Sequence, residues 1–228
     1  MKSYLLRRKK DTEGEKALME SSVQQAYIGY KKSSAAMYAL QDYIGEDSVG
    51  KALERMVDKF GFRLDTFALA SDLVDEFYKV TPDSLKYFVD DLFAKITLYE
   101  NKMNAATYKL LKDGKYEVNL TMETTKFYAD SVGNQTEAPL KDYIYVALMD
   151  EKGEAFYYKK HLFTQSNSAI QIITDKKPAK AGIDPYLVLI DREMDDNVCE
   201  MKEAKDDSLV TFLINVPVKS AMEEVFTH

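Results

Sequence analysis

Near residue 104 the spacing of apolar side chains changes from a period of about 3.6 to a period of 2, and that change limits the fold more than anything else in the chain. Before it, apolar residues recur every three or four positions. One helix is predicted from about Lys32 to Ile44, with Ala36, Met37, Leu40 and Ile44 on one face and Gly45 where a left-handed C-terminal cap belongs. A second begins near Ser48 and spaces Val49, Leu53, Met56, Val57 and Phe60 helically before Gly61. A third, from Asp65 or Thr66 to Lys79, is expected to bury Phe67, Ala70, Val74 and Phe77. The fourth has the clearest start: Thr81-Pro82-Asp83 offers a capping hydroxyl, a proline for the first helical position and an acid for the first turn. Leu85, Phe88, Val89, Leu92 and Phe93 would form its inward stripe.

After Asn104, Tyr116, Val118, Leu120 and Met122 alternate with Glu117, Asn119, Thr121 and Glu123, as in a strand with one buried face. Ala106 to Leu111 should pair with that strand through Lys112-Asp113-Gly114, since Asp-Gly is a strong hairpin signal. Tyr143 to Met149 and Ala155 to Leu162 make a second pair, and Ala169 to Thr174 and Leu187 to Ile190 add two strands. The expected class is α+β: an N-terminal helical bundle over 1–104, then an antiparallel β-sandwich over 105–200. In the remaining tail, 201–228, Leu209 to Val218 reads as one more strand, with Pro217 placing it at an edge or ending it. No Gly/Ser-rich linker separates helices from strands.

A chain of 228 residues has room for a substantial core, and its charge of −7 argues against a nucleic-acid partner. The basic run Arg7-Arg8-Lys9-Lys10 is balanced at once by Asp11, Glu13 and Glu15, which predicts a solvated segment. No apolar run is long enough for a membrane span, and the first residues lack a signal peptide's apolar region, so a soluble chain without an export address is expected. The single cysteine, Cys199, lies among carboxylates that would raise its pKa, which makes it a poor nucleophile.

Hydrolytic zinc requires converging imidazoles or carboxylates, typically His-Glu-x-x-His on a helix with the glutamate as base. The only histidines are His161, on a predicted strand, and His228, the last residue. No metal ligand and no cofactor-binding residue is therefore assigned. Gly-x-Ser-x-Gly and glycine-rich phosphate loops are also missing, and the paired acids Glu193, Asp195, Asp196, Glu223 and Glu224 read as solvated surface. Two Asn-x-Thr sequons, at Asn119 and Asn134, are expected by chance.

One segment carries more. Tyr30-Lys31-Lys32-Ser33, followed by Met37-Tyr38-Ala39-Leu40-Gln41-Asp42-Tyr43-Ile44-Gly45-Glu46, resembles the helix that presents a tyrosine in the aminopeptidase N family of gluzincin zinc metallopeptidases. The likeness is greatest to membrane-associated bacterial members in which the peptidase region follows an ABC-type permease region. Thr81-Pro82-Asp83-Ser84-Leu85, Asp91 to Tyr99, Lys112 to Val118, Lys177 to Tyr186 and Leu189 to Arg192 match in the same order, so the resemblance covers roughly residues 1–200. It implies that Tyr30 is the catalytic oxyanion stabiliser. It also implies a chain that begins just after the third zinc ligand and holds the rest of a thermolysin-like domain and a β-sandwich.

The pattern's glycine after the lysine is Ser33 here, and the His-Glu-x-x-His helix is not in the sequence. Zinc would belong to the complete enzyme, and this chain alone is expected to be inactive on peptides. Two expectations follow: part of a peptidase completed by a zinc-bearing segment, or a non-catalytic binding or scaffolding module. In either case an exposed helical face would favour a partner or self-association.

Overall fold

The computed structural model describes residues 1–22 and 24–204, and the fold is α+β. The helical elements are α1 (Lys2–Arg8), a π-helical turn (Tyr27–Lys32), α2 (Ser33–Ile44), α3 (Glu46–Phe60), α4 (Ala70–Val80) and α5 (Lys86–Val89), the last running into a second π-helical turn (Asp90–Ala94). The strands are β1 (Ile96–Leu110), β2 (Tyr116–Ala129), β3 (Gln135–Glu137), β4 (Asp142–Met149), β5 (Ala155–Phe163), β6 (Asn167–Thr174), β7 (Lys180–Ile183), β8 (Val198–Glu200) and β9 (Lys202–Glu203). One sheet is ordered β3-β2-β1-β9 with β6 also on β2; the other is ordered β5-β4-β7-β8. The sheets are antiparallel except where β9 joins β1 in parallel at Thr107 and Tyr108.

Two compact units emerge. The first comprises Met1–Tyr99, Lys126–Ala138 and Leu187–Arg192; the second comprises Glu100–Thr125, Pro139–Tyr186 and the described residues from Glu193 onward. In the first unit α2 buries Ala36, Ala39, Leu40, Tyr43 and Ile44, and the Tyr43 ring stacks on Phe88 with centroids 3.9 Å apart. Gly45 ends α2 at φ +87°, a backbone angle that only glycine adopts freely, and its N–H returns to the Gln41 carbonyl at 2.8 Å. Tyr4, Leu98 and Ile190 form a second cluster, bordered by Tyr27 and Phe127. In the second unit Val118, Leu120, Met122, Ile170 and Ile172 supply one buried sheet face, and Ile144, Val146, Leu148 and Ile183 supply the other.

Several expectations need correction. The third helix starts at Ala70, because the Asp72 carboxylate accepts the Leu69 N–H at 2.9 Å and fixes the start there. Phe67 is consequently exposed, as is Ala70, where burial was expected. Thr81 donates its hydroxyl to the Phe77 carbonyl at 2.7 Å, so it closes α4 and does not open the next helix. Pro82 is the N-cap of a short 3₁₀ turn, Asp83–Leu85, and the fourth helix is broken into 3₁₀, α and π turns. Its predicted stripe is nevertheless buried throughout.

The Asp113-Gly114 hairpin is present, with Gly114 at φ +86° and the Leu111 N–H on the Lys115 carbonyl at 2.8 Å. Strand β1 starts at Ile96, ten residues before the predicted Ala106, because Ile96–Tyr99 are all buried and a doubly buried strand shows no alternation. Leu187 to Ile190 is not a strand: Leu187 sits at φ +56°, and pairing is limited to the bridge between Tyr99 and Asp191. A short buried apolar run cannot be told from a strand by periodicity. The strand expected at Leu209 to Val218 lies outside the described residues.

Candidate functional site

Tyr30 lies on the π-helical turn that leads into α2, and 77% of its surface is exposed. A π-turn holds one residue more than an α-turn, so it offsets the side chains that follow, and such turns recur at functional positions. Here Ile28 and Lys32 point inward while Tyr30 points out. The Ser34 hydroxyl donates to the Tyr30 carbonyl at 2.6 Å, and Ser33, where the aminopeptidase pattern has glycine, donates to the Gly29 carbonyl. Both serines thus cap carbonyls of the turn, a local use typical of this residue type. Lys31 reaches the Ser3 hydroxyl on α1.

What holds the turn is a buried charge. Lys32 is 1% exposed, and its ammonium donates to Glu15 Oε1 at 3.0 Å. The same carboxylate accepts the Tyr4 hydroxyl and Arg8 Nε. Burial pushes the Lys32 ammonium below its ordinary pKa; the Glu15 charge opposes this and Arg8 adds to it. The Tyr4 hydroxyl moves strongly upward, first from burial and then from the Glu15 charge, so it remains a donor. Beside it the Tyr27 hydroxyl donates to Asp11 at 2.6 Å.

Sequence reading missed this cluster. Glu15 stands 17 positions before Lys32, and no local pattern joins them. The basic run was expected to be solvated throughout, yet the Arg8 side chain is only 12% exposed. The one available signal was a glutamate a helix-length from a lysine beside a candidate tyrosine.

A second buried pair, Lys126 with Asp91, also belongs to the first unit. Lys126 lies over the rings of Tyr87, Tyr99 and Tyr128 at 5.2, 5.9 and 5.6 Å, and the Tyr128 hydroxyl donates to Asp91 Oδ1 at 3.0 Å. This cage fixes β2 against the second π-helical turn.

His161 lies on β5 with Nε2 2.8 Å from the Tyr157 hydroxyl; burial, then the Lys159 charge, lower its pKa. His228 lies outside the described residues. Cys199 is half-buried on β8, and burial is the main cause of its raised pKa, with Glu200 a lesser one. Among the described residues no group of three or more His, Cys, Asp or Glu side chains could hold a metal ion. The donor set for hydrolytic zinc is therefore not found among them. No helix among them is long and apolar enough to cross a membrane. No protein-family model matches this chain, and neither does any curated protein.

Proposed function

We propose that this chain is the C-terminal region of an aminopeptidase N-like zinc metallopeptidase, in which Tyr30 donates a hydrogen bond to the oxyanion formed as a peptide bond is attacked. The observation that carries the reading is the exposed Tyr30 on a π-helical turn locked from beneath by Lys32 and Glu15. A phenol with that role must reach a substrate oxygen while its backbone stays still, because preorganised donors act without reorganising. The ordered sequence resemblance supports the same assignment. The zinc ligands and the glutamate base would come from a segment that this sequence does not contain.

Zinc analysis and aminoacyl-anilide hydrolysis test this, with the chain alone and with a polypeptide carrying the His-Glu-x-x-His segment. Activity is expected only in the combined sample. A combined sample that binds zinc but hydrolyses nothing would count against the proposal.

A second reading, a protein-binding module, is favoured by one feature. Phe62, Leu64, Phe67 and Leu69 are 106, 97, 86 and 64% exposed between α3 and α4, an apolar concentration suited to a docking partner. Retention of a folded, inactive chain on that partner, lost in Phe62→Ser with Phe67→Ser, would favour this module.

A further inference from the structure

We propose that a cavity in the first unit, bordered by the end of α1, the Thr12–Glu15 loop and the Ser131–Gly133 turn, binds a small oxyanion such as phosphate or a carboxylate. The cavity measures about 350 Å³, room for such a group and a few waters. Arg8 lines it, and Arg8 Nη2 is buried without a hydrogen-bond partner. A buried guanidinium donor without an acceptor is an uncommon state, and oxyanions are the acceptors that its geometry suits best.

Charge points the same way. Glu15 is shared by two cations, the largely buried Arg8 and the fully buried Lys32. Lys9, which is exposed, and Asp11 also line the cavity. Both acids are already supplied with donors. Glu15 takes Tyr4, Arg8 and Lys32; Asp11 takes the Tyr27 hydroxyl at 2.6 Å, the Glu13 N–H at 3.0 Å and the Gln25 amide at 3.4 Å. Arg8 and Lys9 thus balance the two lining carboxylates, and Lys32, which pairs with Glu15 without lining the cavity, leaves this cluster one positive charge in excess. Thr12 and Ser131 also line the cavity. The cavity shares Arg8 and Glu15 with the anchor of the Tyr30 turn but does not involve the Tyr30 hydroxyl, so anion binding can be tested apart from peptide hydrolysis.

The test is titration of the full chain with sodium phosphate, and separately with sodium acetate, at constant ionic strength. It is followed by calorimetry and by backbone amide shifts. Saturable one-site binding of at least one anion is expected, with the largest shifts at Thr12, Gly14 and Gly133. The phosphate and acetate arms distinguish a tetrahedral from a planar ligand. Arg8→Gln also strips Glu15 of a partner and could unfold the unit, so exposed Lys9 carries the argument. Lys9→Glu should weaken binding about tenfold, whereas Lys10→Glu, which does not line the cavity, should change it little. Non-saturable heats, shifts centred elsewhere, or equal effects of the two lysine reversals would overturn the proposal.

Discussion

Replacing Glu15 with glutamine keeps the shape of the side chain and removes the charge on which the Tyr30 turn depends. The carboxylate is 2% exposed, Lys32 is 1% exposed and Arg8 is 12% exposed, so the two cations would be left without a counter-charge and with little water. Breaking one side of a buried ion pair typically costs about 3–5 kcal/mol. For a chain of this length each kcal/mol moves the melting midpoint by roughly 2–4 °C, which gives a fall on the order of 10 °C. Lys32→Met should cost less, because Glu15 keeps Arg8 and Tyr4 as partners and no buried cation is left unpaired. Calorimetric melting of parent, single variants and double variant yields the coupling between the two residues. Hydrogen exchange across Tyr27–Lys32 should quicken in Glu15→Gln, since the π-turn loses its anchor. A midpoint within about 1 °C of the parent, or a Lys32→Met variant less stable than Glu15→Gln, would refute the reasoning.

Further outcomes follow from other parts of the molecule. Lys126→Met should destabilise by about 3 kcal/mol or more, and Lys95→Ala by under about 1 kcal/mol: the Lys126 side chain is 3% exposed and that of Lys95 is 41% exposed, though both ion-pair with Asp91. Similar losses in urea melts would refute that ranking. The His161 ring should titrate below its ordinary value of 6.5 by NMR, because burial and Lys159 disfavour its cation. The unfolded chain then takes up the proton first, so His161 contributes stability above about pH 6.5 that is lost as pH falls. A midpoint at or above the ordinary value would contradict this. Gly182→Ala and Gly50→Ala should act in opposite directions. A Cβ on Gly182 would lie 2.9 Å from Pro185 Cβ, a cost of about 1–3 kcal/mol, whereas one on Gly50 in α3 meets nothing within 4 Å. The Gly50 change should stabilise by roughly 0.5–1 kcal/mol, and a loss there in thermal melts would count against it.

Much of the fold could be read from short-range pattern. Helices α2 and α3, the Asp113-Gly114 hairpin and the β4–β5 pair follow from periodicity plus turn residues, because each is closed by neighbours in sequence. Where burial is complete the pattern fails. Ile96–Tyr99 and Leu187 to Ile190 have nearly the same apolar texture, and only the backbone shows that the first is a strand and the second a loop. Capping also outweighed periodicity: Asp72 fixes the start of α4 and leaves Phe67 in solvent. For the candidate site, Tyr30 was legible through its segment, but Glu15, Tyr4 and Arg8 were not. Their role comes from converging on Lys32 in space, and nothing in their own neighbourhoods distinguishes them from surface charge.

Tyr30→Phe removes a single hydroxyl from a side chain that is 77% exposed, so the fold and its melting midpoint should not change. The decisive measurement is kcat for aminoacyl-anilide hydrolysis by the chain combined with a polypeptide carrying the His-Glu-x-x-His segment, parent against Tyr30→Phe. If Tyr30 stabilises the oxyanion, kcat falls by about 10²–10³ with KM nearly constant, the signature of a hydrogen bond made only to the oxyanion. Equal kcat values in the two samples would contradict it.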